Sequence, residues 1–72
     1  MKCYFVKMFL NGEWVFAHKF HGRFYPTATP ELYPGRIAVA KAILDDVKER
    51  DESGDSPVGF KIIPIKVPDE SS

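Results

Sequence analysis

Cys3, His18 and His21 are the side chains of this sequence that could serve as a nucleophile, a proton acceptor or a metal ligand. A thiol beside an imidazole is the pairing in which a base activates a nucleophile, and a hairpin turning at Asn11-Gly12 would make Cys3 and His18 diagonal neighbours on one strand face. No acidic residue shares that hairpin face to orient the imidazole, and a buried cysteine ordinarily behaves as a small hydrophobe. The pair is therefore read as packing, and no catalytic residue is expected. His18 and His21 stand three apart, which suits a helical metal pair, but on a strand odd spacing sends side chains to opposite faces. With one cysteine and two histidines a structural zinc site is not supported, and no glycine-rich phosphate loop, Walker-type lysine motif or EF-hand loop is present. No cofactor, metal or enzymatic activity is expected.

The remaining chemistry is that of a surface. Phe5, Phe9, Trp14 and Phe16 beside Lys7 could supply desolvated contact area to a protein, or stack unpaired bases as aromatic sheet platforms do. These residues need a rigid element to hold them, and the pattern supplies one. Residues 2–10 are rich in Tyr, Phe, Val and Leu, residues 13–20 contain Trp14, Val15 and Phe16, and between them lie Asn11 and Gly12. Asn-Gly tolerates the positive backbone angles of a tight type I′ turn, so the two runs are read as a β-hairpin.

Pro26, Pro30 and Pro34 mark residues 21–35 as a connection, with one isolated helical turn expected at Thr29-Pro30-Glu31. A helix is expected to start between residues 34 and 37 and to run to about 52, because Ile37, Ala40, Ile43, Leu44 and Val47 recur at helical spacing. Gly54 is its expected terminator. Residues 60–67 read as a third strand, which Pro64 confines to a sheet edge or a bulge. The expected fold is α+β in the order β-β-α-β, an antiparallel hairpin plus a C-terminal strand with one helix on one face of the sheet.

At 72 residues the chain makes a single small domain, taken as 1–68, followed by a frayed polar tail, 69–72. Hydrophobic content of 44% with 28% charged residues is ordinary for a soluble fold, and without a long apolar run no membrane segment is expected. The start shows no signal-peptide pattern and a single cysteine forbids an internal disulfide, so a reducing, cytoplasmic setting is expected. The ten basic and ten acidic residues cancel, which argues against a phosphate-coating protein. Residues 1–36 carry five basic and two acidic side chains, and the remainder balances them, so the hairpin end is mildly basic. The acidic stretch from Asp45 to Asp55 could offer carboxylates to a basic surface, although a charged helix end is more often simply solvated.

A two-residue turn pairs Leu10 with Glu13, Phe9 with Trp14, Lys7 with Phe16, Phe5 with His18 and Cys3 with Phe20. One face then holds Cys3, Phe5, Lys7, Phe9, Trp14, Phe16, His18 and Phe20, and the other Tyr4, Val6, Met8, Leu10, Glu13, Val15, Ala17 and Lys19. Both are largely apolar, whereas one helix covers one side. The aliphatic side is assigned to the core, against Ile37, Ala40, Ile43, Leu44 and Val47. The aromatic side is left either to residues 21–35 folding back as a lid or to another chain, and the second is favoured.

The expected function is a small non-enzymatic protein-binding module acting through its hairpin and proline-rich loop. The expected contact residues are Phe5, Lys7, Phe9, Trp14, Phe16, His18, Arg23, Tyr25, Tyr33 and Arg36. The order strand, strand, helix, strand and the chain size resemble small phage-encoded proteins that bind and inhibit host bacterial enzymes, RNA polymerase among them. That resemblance implies a regulatory inhibitor of a bacterial protein complex and, being one of layout, assigns a role to no residue. Alternatives are single-stranded nucleic-acid binding through the same aromatics and a homodimer joined by sheet faces or edges.

Overall fold

A computed structural model describes residues 2–66. Val67 and the expected tail, 69–72, lie outside the described residues. Four strands, β1 (Lys2–Leu10), β2 (Glu13–Phe20), β3 (Arg23–Pro26) and β4 (Phe60–Lys66), form one antiparallel sheet in the order β3-β2-β1-β4. Helix α1 (Arg36–Ser53) packs on one face, giving the α+β class that the pattern predicts.

The first hairpin turns where expected, with Asn11 at φ 51° and Gly12 at φ 83°, the two positive angles of a type I′ turn. The same geometry recurs at His21 (φ 50°) and Gly22 (φ 83°) and folds Arg23–Pro26 back as β3. The start of the segment read as an irregular connection is thus a strand. His-Gly made the same turn as Asn-Gly, and the prolines limited β3 to a short edge strand. Residues 29–31 form no helical turn; the Thr29 N–H donates to the Thr27 hydroxyl at 3.1 Å, a local side-chain bond that takes the backbone elsewhere.

The β1–β2 ladder holds from Leu10↔Glu13 to Val6↔Ala17 and stops there. Beyond it Tyr33 enters beside β1, its N–H donating to the Tyr4 carbonyl at 2.9 Å and its carbonyl accepting from the Tyr4 N–H at 3.0 Å. The expected pairs Phe5 with His18 and Cys3 with Phe20 are therefore not made. Their partners are Ile63 and Ile65 on β4 for Phe5 and Cys3, and Tyr25 and Arg23 on β3 for His18 and Phe20.

The aliphatic hairpin face is the core face. Val6, Met8, Ala17, Phe24 and Tyr33 meet Val39 and Ala42 of the helix, with Tyr4, Leu10, Val15, Ile43, Val58, Phe60 and Ile62 around them. The helix is rotated from the expected setting: Val39, Ala42 and Asp46 are buried, while Ile37 (87% exposed), Leu44 (66%) and Val47 (48%) face away. The cause is polar. Asp46 and Arg50, on the same side of α1 as Val39 and Ala42, bind the backbone of β3, and that contact sets the rotation. Gly54 ends the helix at φ 75°, its N–H donating to the Asp51 carbonyl and that of Asp55 to the Arg50 carbonyl, the Schellman arrangement. Among the described residues no helix is long and apolar enough to cross a membrane.

Candidate functional site

The sheet face away from α1 is built by alternation. Paired residues of an antiparallel ladder share a face, so Cys3, Phe5, Lys7 and Phe9 of β1 join Trp14, Phe16, His18 and Phe20 of β2. β3 adds Tyr25 beside His18, and β4 adds Lys61 beside Lys7 and Ile63 beside Phe5. Phe5 and Phe16 meet edge to face at 5.5 Å, and Phe9 and Trp14 at 5.2 Å. The ring of Trp14 reaches across β1 to Gly59, whose carbonyl accepts the Phe9 N–H. These rings hold each other in fixed positions and still leave Phe9 (44%), Trp14 (39%), Phe20 (57%) and Tyr25 (44%) exposed.

The cations on this face lie over its rings. The Lys7 ammonium sits 4.7 Å from the centre of Phe16 and the Lys61 ammonium 4.9 Å from that of Trp14. Lys7 and Lys61 are direct cross-strand partners. Among the described residues, no position that alternation puts on this face is acidic.

Both open edges of the sheet are blunted. On β3 the outward backbone groups of Phe24 are taken by the helix: its N–H donates to Asp46 Oδ2 at 2.7 Å, and its carbonyl accepts from Arg50 Nη2 at 3.1 Å. Arg50 Nε closes the arrangement on Asp46 Oδ1 at 2.7 Å. Pro26, two residues on, has no N–H to offer. On β4, Pro64 faces Tyr4, whose own N–H and carbonyl point to Tyr33, so the missing proline donor lies on the solvent side. Neither edge presents a continuous row of donors and acceptors for a further strand.

A concavity of about 560 Å³ lies on the helix layer between Leu44 and Val47 on one wall and Pro57 and Val58 on the other. Its charged lining is mostly engaged within the fold, Asp46 and Arg50 with each other and Asp55 with Arg23 at 2.6 Å. A pocket that binds a small ligand needs convergent polar groups still free to contact it, so the aromatic face is the better candidate. Among the described residues no group of three or more His, Cys, Asp or Glu side chains could hold a metal ion.

Of the expected contact residues, Phe5, Lys7, Phe9, Trp14, Phe16, His18 and Tyr25 come together on the uncovered face. Arg23 lies opposite Phe20 but is bound to Asp55, which raises its pKa further. Tyr33 does not belong there: it is 9% exposed and fills the end of the core beside Phe24, because its backbone is paired with Tyr4. Its hydroxyl is buried and no group among the described residues is within hydrogen-bonding geometry of it, so burial is the main cause that pushes the phenol above its ordinary range. Arg36 is also elsewhere, opening α1 in the layer beyond the sheet. The sequence reading missed Lys61; a count of alternate positions back from Ile63 would have placed it on this face. The acidic stretch is partly used inside the fold, by Asp45 on Lys19, Asp46 on Arg50 and Asp55 on Arg23.

No protein-family model, curated protein or solved structure matches the chain.

Proposed function

We propose that the chain is a small non-enzymatic protein-binding module that takes its partner on the aromatic face of the sheet. One observation carries this reading: a fixed cluster of aromatic residues, with Phe9, Trp14, Phe20 and Tyr25 each more than a third exposed, lies on the sheet face that α1 does not cover. Clustered aromatics with an apolar body and a cationic rim are the composition of binding hot spots. The proline-rich connection contributes less than expected, since Tyr33 is in the core and Arg36 begins the helix. A regulatory or inhibitory role on a bacterial protein complex is the finer form of the proposal. The added β3 departs from the layout behind the phage-protein resemblance, so the proposal rests on the surface and not on that likeness. A reducing, cytoplasmic setting goes with it, since Cys3 is a buried free thiol.

Self-association through strand edges is disfavoured by the blunted edges described above. Base stacking is disfavoured because Lys7 and Lys61 already lie over the rings of Phe16 and Trp14. The test is a pull-down with Trp14→Ala beside the wild type. Trp14 is 39% exposed and outside the core cluster, so the variant stays folded while partner affinity falls by about 2 kcal/mol, or about 30-fold. Unchanged capture by a folded Trp14→Ala protein would refute the assignment of this face.

A further inference from the structure

We propose that Lys7 and Lys61 form an anion-recognition point, and that the partner is an acidic protein segment which sets a carboxylate side chain between apolar ones. This rests on the protein-binding reading above and names the chemistry of the partner.

The two lysines are direct partners in the β1–β4 ladder, on a face whose described positions include no acid. Like charges set directly opposite each other destabilise a sheet, so the arrangement needs compensation. Phe16 and Trp14 supply part of it by accepting one ammonium each over their rings. The described ion pairs are Lys19–Asp45, Arg23–Asp55 and Arg50–Asp46, so among the described residues neither Lys7 nor Lys61 has a carboxylate partner. Two ammonium groups with unused donors thus project from neighbouring strands, each over its own aromatic ring on a largely apolar face. A carboxylate has acceptor oxygens for donors from both strands and brings the negative charge this face lacks, and apolar neighbours of that carboxylate would cover Phe5, Phe9 and Trp14.

The same features select against other occupants. A second copy laid face to face would bring four lysines together with no acid between them. A single-stranded nucleic acid would need free ring faces and a longer cationic track, and this face offers two unpaired lysines, each lying on a ring.

The experiment is a selection from a displayed library of random peptides. The targets are the wild type, Trp14→Ala and the double variant Lys7→Gln/Lys61→Gln, each confirmed as folded by circular dichroism. The wild type is expected to enrich peptides with Asp or Glu flanked by apolar residues, and the double variant to enrich apolar peptides without that acid. One enriched peptide is then titrated with its acidic residue intact and replaced by the amide. The replacement should weaken wild-type binding by about tenfold and leave the double variant unaffected. Wild-type selection without acidic enrichment, or an equal loss on both proteins, would overturn the inference and leave the protein-binding reading in place. Peptides that bind Trp14→Ala as well as the wild type would instead overturn that reading. Tight binding of oligo-dT with a steep salt dependence would overturn both in favour of nucleic acid. If the double variant fails to fold, Lys61→Gln alone, at an exposed edge-strand position, takes its place.

Discussion

Replacing Asp46 by Ala tests the contact that sets the helix on the sheet. Asp46 is fully buried and its two oxygens each accept a bond of 2.7 Å, one from the Phe24 N–H and one from Arg50 Nε. The substitution leaves a mostly buried guanidinium without its carboxylate and a buried backbone N–H without an acceptor. Breaking a buried pair by removing one partner costs about 3–5 kcal/mol; Arg50 retains 15% side-chain exposure and its bond to Phe24, which places the loss near 3 kcal/mol. A chain of 72 residues has a total stability of about 4–11 kcal/mol, so the variant should be largely destabilised. The assay is urea unfolding at neutral pH followed by far-ultraviolet circular dichroism, with the midpoint and slope compared to wild type. The companion variant Asp46→Leu/Arg50→Leu removes both charges and, like the single variant, leaves the Phe24 N–H without its acceptor. It should be more stable than Asp46→Ala, because no unpaired buried charge remains. A loss below about 1 kcal/mol for Asp46→Ala, or a double variant worse than the single one, would refute the view that this pair anchors α1 to β3.

Other variants separate the observed packing from the expected one. Leu44→Ala, at a 66% exposed position, should cost under about 1 kcal/mol in the same urea assay, whereas Val39→Ala, fully buried, should cost about 1–3 kcal/mol. Tyr33→Phe removes a buried hydroxyl without a partner and should stabilise the fold by about 1 kcal/mol at pH 7. Because the folded-state pKa of Tyr33 is raised, its contribution is intact below the ordinary value of 10 and is lost as pH rises from there. Midpoints measured at pH 7 and pH 10.5 should therefore fall less for Tyr33→Phe than for wild type. At the acid end, the Lys19 ammonium hydrogen-bonded to Asp45 holds that carboxyl below its ordinary 3.8, so this stabilisation is full above 3.8 and lost as pH falls through the lower folded value. Lys19→Gln should flatten that loss in a urea titration between neutral pH and pH 2.5, and added salt should do the same.

Local rules written along the chain determined much of this protein. Asn11-Gly12 set the first hairpin and its register, alternation sorted the aromatic from the aliphatic face, and Gly54 ended the helix where expected. Pro64 placed β4 at an edge, and six expected contact residues on the uncovered face, from Phe5 to His18, followed from period-two spacing alone, whereas Tyr25, read in the connection, joined them only through β3. His21-Gly22, read as the start of a connection, was shown only by its backbone angles to be a second turn of the Asn-Gly kind. What only the tertiary structure decided depends on groups far apart in sequence. Ile37, Leu44 and Val47 mark an apolar helical face as well as Val39 and Ala42 do, and hydropathy does not choose between them. Asp46 and Arg50 chose, because a buried carboxylate and guanidinium must find partners, and the nearest unpaired backbone groups belonged to Phe24, 22 residues earlier. The same long-range demand took Tyr33 from the surface into the core and ended the β1–β2 ladder at Val6, where its backbone found Tyr4. Periodicity reports which residues can share a face; which face is buried is settled by the polar groups that burial would otherwise leave unpaired.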